Sequence, residues 1–222
     1  MGCIGSSVAE ILVRSSLNNI TICDPDIFTV GNLVRHTLSI GSLFCSKSDE
    51  VAQRLNKLNI HANINVINSL YKRDNDISLN LDNFDIIIDC TGSAKVLSIL
   101  GEYVFKSPTV VCSISVSYGC KKLFIHLSKQ IQRNYGDFIT CINENFVITN
   151  HDFKNIDPPR DGIGCWHPSF PGRMDDVLLA SSTAIKVLEN YIANKTTEQM
   201  YSIYEQKYNN DSFQGFEMVL KS

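Results

Sequence analysis

Two hydrophobic periods alternate along this chain. Val8, Ile11, Leu12 and Leu17 fall mostly on one helical face, which predicts a helix over Val8–Leu17 capped by Ser6 or Ser7. Asn19-Ile20-Thr21-Ile22-Cys23 reads as a short buried strand that stops at Asp24-Pro25-Asp26, where proline ends it. A glycine-bearing turn, a helix, a strand and a carboxylate at the strand's end form the second half of a βαβ unit. Val51, Leu55 and Leu58 predict a helix over Ser48–Leu58, and Ala62–Ile67 alternates as a strand does. The continuous apolar run Phe84–Asp89 is expected to be a strand buried on both faces. Helical spacing returns over Ala94–Phe105 and strand character over Thr109–Ile114. Beyond these, Lys121–Leu127 is expected as an outer strand and Asp175–Asn194 as a helix. The tail from Thr196 is expected to form a final helix and strand.

Strands alternating with helices in this way predict an α/β fold: a Rossmann-like, doubly wound, mostly parallel sheet with helices on both faces. The 222 residues suffice for one such domain, 1–222, in which 128–174 forms an irregular crossover region. With 20 Lys+Arg against 23 Asp+Glu, the formal charge of −3 argues against nucleic acid as the main partner. There is no apolar run of the roughly 18–20 residues that span a bilayer and no charged-then-apolar leader, which points to the cytoplasm and away from membranes. The eight cysteines include no C-x-x-C pair, so a ribbon-type zinc site is not expected, and seven of them read as buried thiols.

The chemistry gathers near the beginning. Gly2-Cys3-Ile4-Gly5 fits the last four positions of a G-x-G-x-x-G fingerprint, where glycine lets the backbone approach a phosphate and lets the helix pack on the sheet. Simple helix capping would use the same pair. Asp24, at the end of the next strand, is placed to accept hydrogen bonds from ribose hydroxyls, or else serves as a turn former in Asp-Pro-Asp. Asn32, Arg35 and Lys47 follow. Two cations beyond a ribose-binding acid suit a triphosphate better than a dinucleotide, although each taken singly could be a solvated surface charge.

The order Gly2-x-x-Gly5-Ser6, Asp24-x-Asp26, Asn32-x-x-Arg35-His36, Ser46-Lys47 and Asp89-Cys90-Thr91 resembles the ThiF/MoeB/ubiquitin-activating family of adenylating enzymes. The resemblance implies ATP over the glycine turn formed by Gly2 and Gly5. It places Asp24 on the ribose, with Asp26 beside it, and Asn32, Arg35 and Lys47 on the phosphates, and it implies Mg²⁺. It also implies activation of the C-terminal glycine of a ubiquitin-like or sulfur-carrier protein as an acyl-adenylate, with Arg35 and Lys47 countering charge on the transferring phosphate. One position departs from the pattern: Gly92 stands where many relatives carry the aspartate that meets magnesium. Either Asp89 or Asp26 then takes the metal, with Asp89 preferred, or adenylation is impaired.

Cys165, in Gly164-Cys165-Trp166-His167-Pro168-Ser169-Phe170, resembles the Gly-Cys-x-x-Pro-[Ser/Thr]-Phe segment of bacterial members linked to ubiquitin-like conjugation. There the cysteine takes the activated glycine as a thioester, and His167, Arg160 or Arg173 could lower its pKa. Packing of Cys165 in a structural loop is the competing reading. His36 could likewise join the phosphate site or be a structural histidine.

The leading expectation is therefore an ATP-dependent activating enzyme, working as a homodimer or beside a conjugating partner protein. A catalytically silent scaffold subunit of the same family is the first alternative, and an NAD-dependent oxidoreductase the second. Relatives place a buried strand and the first fingerprint glycine just ahead of Gly2, so this sequence is expected to lack the first strand of its sheet.

Overall fold

The computed structural model describes residues 1–67, 80–145 and 172–222. The chain divides into two compact units, one comprising Met1–Asn80 with Arg173–Ser182, the other Leu81–Gly172 with Thr183–Ser222.

The first unit begins with helix α1, Cys3–Arg14. This helix starts well before the position its apolar spacing marks. Gly2 is the extended residue ahead of it, while Ser6 and Ser7 lie buried inside the helix and do not cap it. It ends before Leu17 because Ser16 turns left-handed, at φ +69°. Strand β1, Asn19–Cys23, pairs in parallel with β2, Asn63–Ile67, in the register Ile20↔Ile64 and Ile22↔Val66. Between the two strands runs helix α2, Lys47–Leu58, whose cap Ser46 accepts the Asp49 N–H at 3.3 Å. Ala9 and Val13 of α1, Ile22 of β1, and Val51, Ala52 and Leu55 of α2 meet in one core, with Phe28 and Leu38 from the intervening loop. Arg54 of α2 donates through Nε to Glu10 of α1 at 2.9 Å, and Glu10 also pairs with Arg14. Burial pushes the Glu10 carboxyl up, but the two arginines outweigh it and hold it below the usual carboxylate range.

The second unit carries five strands in chain order: β3 Ile86–Asp89, β4 Thr109–Val116, β5 Lys122–Gln130, β6 Met200–Asn209 and β7 Ser212–Lys221. β3 and β4 are parallel, and the remaining neighbours are antiparallel. Helix α3, Ala94–Glu102, makes the β3 to β4 crossover; α4 spans Gly136–Asn145 and α5 spans Met174–Ala193.

Three expectations change here. Lys122–Gln130 is the middle strand of five, not an outer one, because a short turn at Tyr118–Cys120 folds it back onto β4 and the C-terminal strand β6 pairs along its other edge. Ile86 of β3 is 37% exposed, so this apolar run is not buried on both faces. The tail holds no helix: β6 and β7 form a hairpin across Asn210-Asp211, whose φ angles of +47° and +62° match the mirror-image turns that suit strand twist. Among the seven described cysteines, Cys3, Cys112, Cys120 and Cys141 are buried, Cys23 and Cys90 are half-buried, and Cys45 is exposed. No helix among the described residues is long and apolar enough to cross a membrane.

Candidate functional site

The loop between β1 and α2 folds back on itself and gathers most of the sequence-predicted residues in the first unit. The Phe28 N–H donates to the Cys45 carbonyl at 2.8 Å, the Phe44 N–H to the Phe28 carbonyl at 2.9 Å, and the Lys47 N–H to the Asp26 carbonyl at 2.9 Å. Phe28, fully buried, anchors this doubled-back segment to the core. Phe28 has no role in the sequence analysis, yet a large aromatic inside a polar loop is the signal that the loop is packed and not free.

The loop's polarity is inverted. Asn32, Arg35, His36, Ser42 and Lys47 are buried, while Ile27, Val30, Val34, Ile40 and Phe44 face solvent. A loop normally keeps its charges in water, because burying a cation costs several kcal/mol unless it is paired. Arg35 is 1% exposed and Lys47 is 5% exposed. Both cations of this loop region are therefore held inside the first unit, against the usual preference of loop charges for water.

Asp24, directly after β1, is 8% exposed. Its Oδ1 accepts the Asp26 N–H at 2.7 Å, its Oδ2 pairs with the Met1 ammonium, and its carbonyl accepts the Ser48 hydroxyl at 3.0 Å. Burial alone would raise the Asp24 pKa, but the ammonium, the Asp26 N–H and the Lys47 charge together hold it below the ordinary value. Lys47 donates through Nζ to Asp26 at 2.9 Å, and Asp26 is 58% exposed at its side chain. Asn32 reaches back to Thr29, accepting both its N–H and its hydroxyl at 3.1 Å, which fixes the short helical turn Val30–Arg35.

His36 is structural. Its Nδ1 accepts the Leu38 N–H at 3.1 Å, so the proton sits on Nε2, which donates to the Met1 carbonyl at 2.7 Å. Burial is the chief cause that brings its pKa down to about 4, with the Met1 ammonium and Lys47 adding to it. The ring lies 4.9 Å from Phe28. Ser48 is the residue that sequence reasoning missed: its hydroxyl ties α2 to the end of β1, and a serine next to a cap gives no signal of such a reach.

Gly2 sits at the N-terminus of α1 with φ −72°, and a Cβ there would meet nothing within 4 Å. Neither crowding by the protein nor backbone strain demands glycine at this position. A Cβ on Gly2 would enter open space, and the Gly2 carbonyl accepts the Ser6 N–H at 2.9 Å, which closes the first turn of α1. Gly5 lies buried within the first turn.

Asp89, at the end of β3 in the second unit, is buried, and its Oδ1 accepts the Thr91 N–H at 2.9 Å and hydroxyl at 2.7 Å. Burial pushes its pKa up against these hydrogen bonds. Gly92 has φ +61°, a left-handed conformation, with only the Ser115 Cβ at 4.0 Å from a built Cβ. Among the described residues no three His, Cys, Asp or Glu side chains form a metal-holding group. Cys165, with Arg160 and His167, lies outside the described residues, while Arg173 pairs with Asp175 at 2.7 Å.

The sequence profile of the ThiF family matches residues 1–218. An ATP-dependent ubiquitin transferase-like protein, Cap2, from Enterobacter hormaechei subsp. hoffmannii is 30% identical over 189 residues, covering 84% of this chain and 31% of that protein. The molybdopterin-synthase adenylyltransferase of Escherichia coli K12 is 27% identical over 113 residues, 50% of this chain and 45% of that protein. This chain thus spans less than half the length of these curated relatives. A crystal structure of E. coli MccB matches with a TM-score of 0.62 at 13% identity, covering 96% of this chain and 60% of that one. The complex of MccB with ATP gives 0.61 at 14%, covering 97% and 62%. These structural likenesses show the Rossmann-like α/β fold, and the profile match settles the family: the chain belongs to the ThiF family.

Proposed function

We propose that this chain binds ATP and adenylates the C-terminal glycine of a ubiquitin-like or sulfur-carrier protein. The observation that carries the reading is the burial of Arg35 and Lys47 in the same unit as the buried carboxylate of Asp24. Two nearly water-free cations in the same unit as a helix N-terminus suit a polyphosphate, and a buried acid at a strand's end suits ribose hydroxyls. Asp26 holds the Lys47 ammonium at 2.9 Å, and its own exposure makes that pair easy to exchange for a phosphate. Asn32 fixes the turn that carries Arg35.

In the proposed reaction the glycine carboxylate oxygen attacks the α-phosphorus, the bond from that phosphorus to the bridging oxygen breaks, and pyrophosphate leaves. Arg35 and Lys47 counter the negative charge that moves onto the leaving group. Mg²⁺ would add charge compensation of the same kind. Asp89 is the proposed metal residue: Thr91 occupies one of its oxygens, and Mg²⁺ is commonly held by one or two carboxylates. Cys165 is proposed as the acceptor of the acyl group in a following thioester step. The protein is proposed to act in the cytoplasm, with a carrier and a conjugating partner, and as a homodimer. The exposed apolar side chains Ile27, Val30, Val34, Ile40 and Phe44 are the surface such a dimer would cover.

Calorimetric titration with ATP and with NAD tests the site. ATP binding by the wild type, lost in Lys47→Ala and Arg35→Ala, supports the reading, and NAD binding without ATP binding overturns it in favour of an oxidoreductase. ATP binding with no pyrophosphate exchange toward any of a panel of glycine-terminated carriers would assign a silent scaffold instead.

A further inference from the structure

The second unit holds a buried polar layer of which the proposed reaction uses only Asp89. Strand register sets Asp89, Ser113, His126 and Tyr201 side by side across β3, β4, β5 and β6. Residues opposite one another in a sheet share a face, so this row lies on one side. Tyr135 and Phe138, the latter on α4, cover it, their rings 4.4 and 5.2 Å from His126, and Phe138 also lies 6.1 Å from Tyr201.

Under this cover the hydrogen-bond bookkeeping does not close. His126 is fully buried, and neither ring nitrogen has a partner. The hydroxyls of Tyr135, Ser113 and Ser128 have none of ordinary geometry either. Arg133 is 4% exposed, lies 4.2 Å above the Phe105 ring, and donates through Nη2 to the Thr109 carbonyl. Its Nε and Nη1 have no partner, and no carboxylate pairs with it among the described residues. The acid of the row, Asp89, accepts the Thr91 N–H and hydroxyl at its Oδ1.

Buried polar groups are almost always satisfied, and a buried cation without a counter-charge is more costly still. A water molecule would supply hydrogen bonds but leave the guanidinium uncompensated. An anion supplies both. We infer that Arg133, His126 and Tyr135 form a buried binding site for a small inorganic anion, a halide or a phosphate-like oxyanion, between the sheet and the segment leading into α4. The guanidinium provides charge and the three N–H groups of Nε and Nη1, the imidazole one N–H and the phenol one O–H. Arg133 acts on its surroundings at this range: burial is the main cause of the His126 pKa of about 4, and the guanidinium charge adds to it.

The test is thermal unfolding of the full chain at constant ionic strength in sodium gluconate, whose anion is too large for the site, against sodium chloride and sodium phosphate. An anion present at about ten times its Kd raises the wild-type Tm by about 3–5 °C. Arg133→Met should lose that rise, whereas Arg35→Ala, which alters the proposed nucleotide phosphate site, should keep the rise in chloride. Chloride and phosphate arms separate the two anion sources. A wild-type Tm identical in all three salts overturns the proposal and leaves water as the occupant. A rise that survives Arg133→Met and vanishes in Arg35→Ala also overturns it, by moving the anion to the first unit. Should Arg133→Met fail to fold, wild-type crystals soaked in bromide decide: an anomalous peak within hydrogen-bond reach of Arg133 and His126 supports the site, and its absence overturns it.

Discussion

Acid should unfold this protein before most of its carboxylates protonate, and the cause is a pair of buried neutral histidines. His36 is 7% exposed and His126 fully buried, and both have pKa values near 4 against an ordinary 6.5. Above the ordinary value neither the folded nor the unfolded chain holds the proton, and these groups cost nothing. As pH falls below it the unfolded chain takes up protons that the folded one refuses, so stability drops until the folded pKa is reached. At about pH 4.5 the gap amounts to ~2.5 kcal/mol for each histidine, a large part of a typical domain's total. Lowered carboxyls such as Asp24 and Glu10 also lose stability on acidification, but only below their unfolded values of 3.8 and 4.5. Asp89, whose pKa is raised, works in the opposite direction. Urea unfolding in gluconate buffer between about pH 8 and about pH 4.5 measures the slope. His126→Phe keeps the ring packing and removes the titration, so it should recover ~2.5 kcal/mol at the acid end. A wild-type stability flat over that range, or a His126→Phe slope equal to the wild type's, refutes the reasoning.

Phe28→Ala, which empties the anchor of the doubled-back loop, should cost ~3–5 kcal/mol in chemical denaturation and weaken ATP binding with it. Gly92→Asp should fold, at a cost of ~1–2 kcal/mol for a left-handed side chain with room around it, and should tighten Mg²⁺ binding measured by calorimetry. Val34→Asp, placed at a 73% exposed apolar position, should leave the Tm nearly unchanged and shift a sedimenting dimer to monomer.

The α/β class and the existence of most elements were legible because each segment's apolar spacing is strong. Boundaries failed where packing runs on small residues. Gly5, Ser6 and Ser7 are buried in α1, yet none of them contributes to a hydrophobic period, so the helix looks five residues shorter than it is at its start. The tail failed for another reason. Its tyrosines and phenylalanines fit either structure, and the deciding signal, Asn210-Asp211 at a mirror-image turn, is weaker in sequence than Asn-Gly. At the candidate site, the order of Asp24, Asp26, Asn32, Arg35 and Lys47 singles them out, and the structure holds all five in one unit. What spacing could not show is the direction each side chain faces. The inverted polarity of the loop, with Arg35 inside and Val34 outside, depends on Phe28 and the backbone pairing that folds the segment over.

The adenylation claim is tested most directly by exchange of labelled pyrophosphate into ATP, with the full chain and a panel of glycine-terminated ubiquitin-like and sulfur-carrier proteins. Exchange should require one of the carriers, depend on its terminal glycine carboxylate, and fall by at least about a hundredfold in Lys47→Ala, as loss of a charge contact on a transferring phosphate does. Carrier-dependent exchange that Lys47→Ala and Arg35→Ala leave unchanged would contradict the assignment of the buried cations to the phosphates.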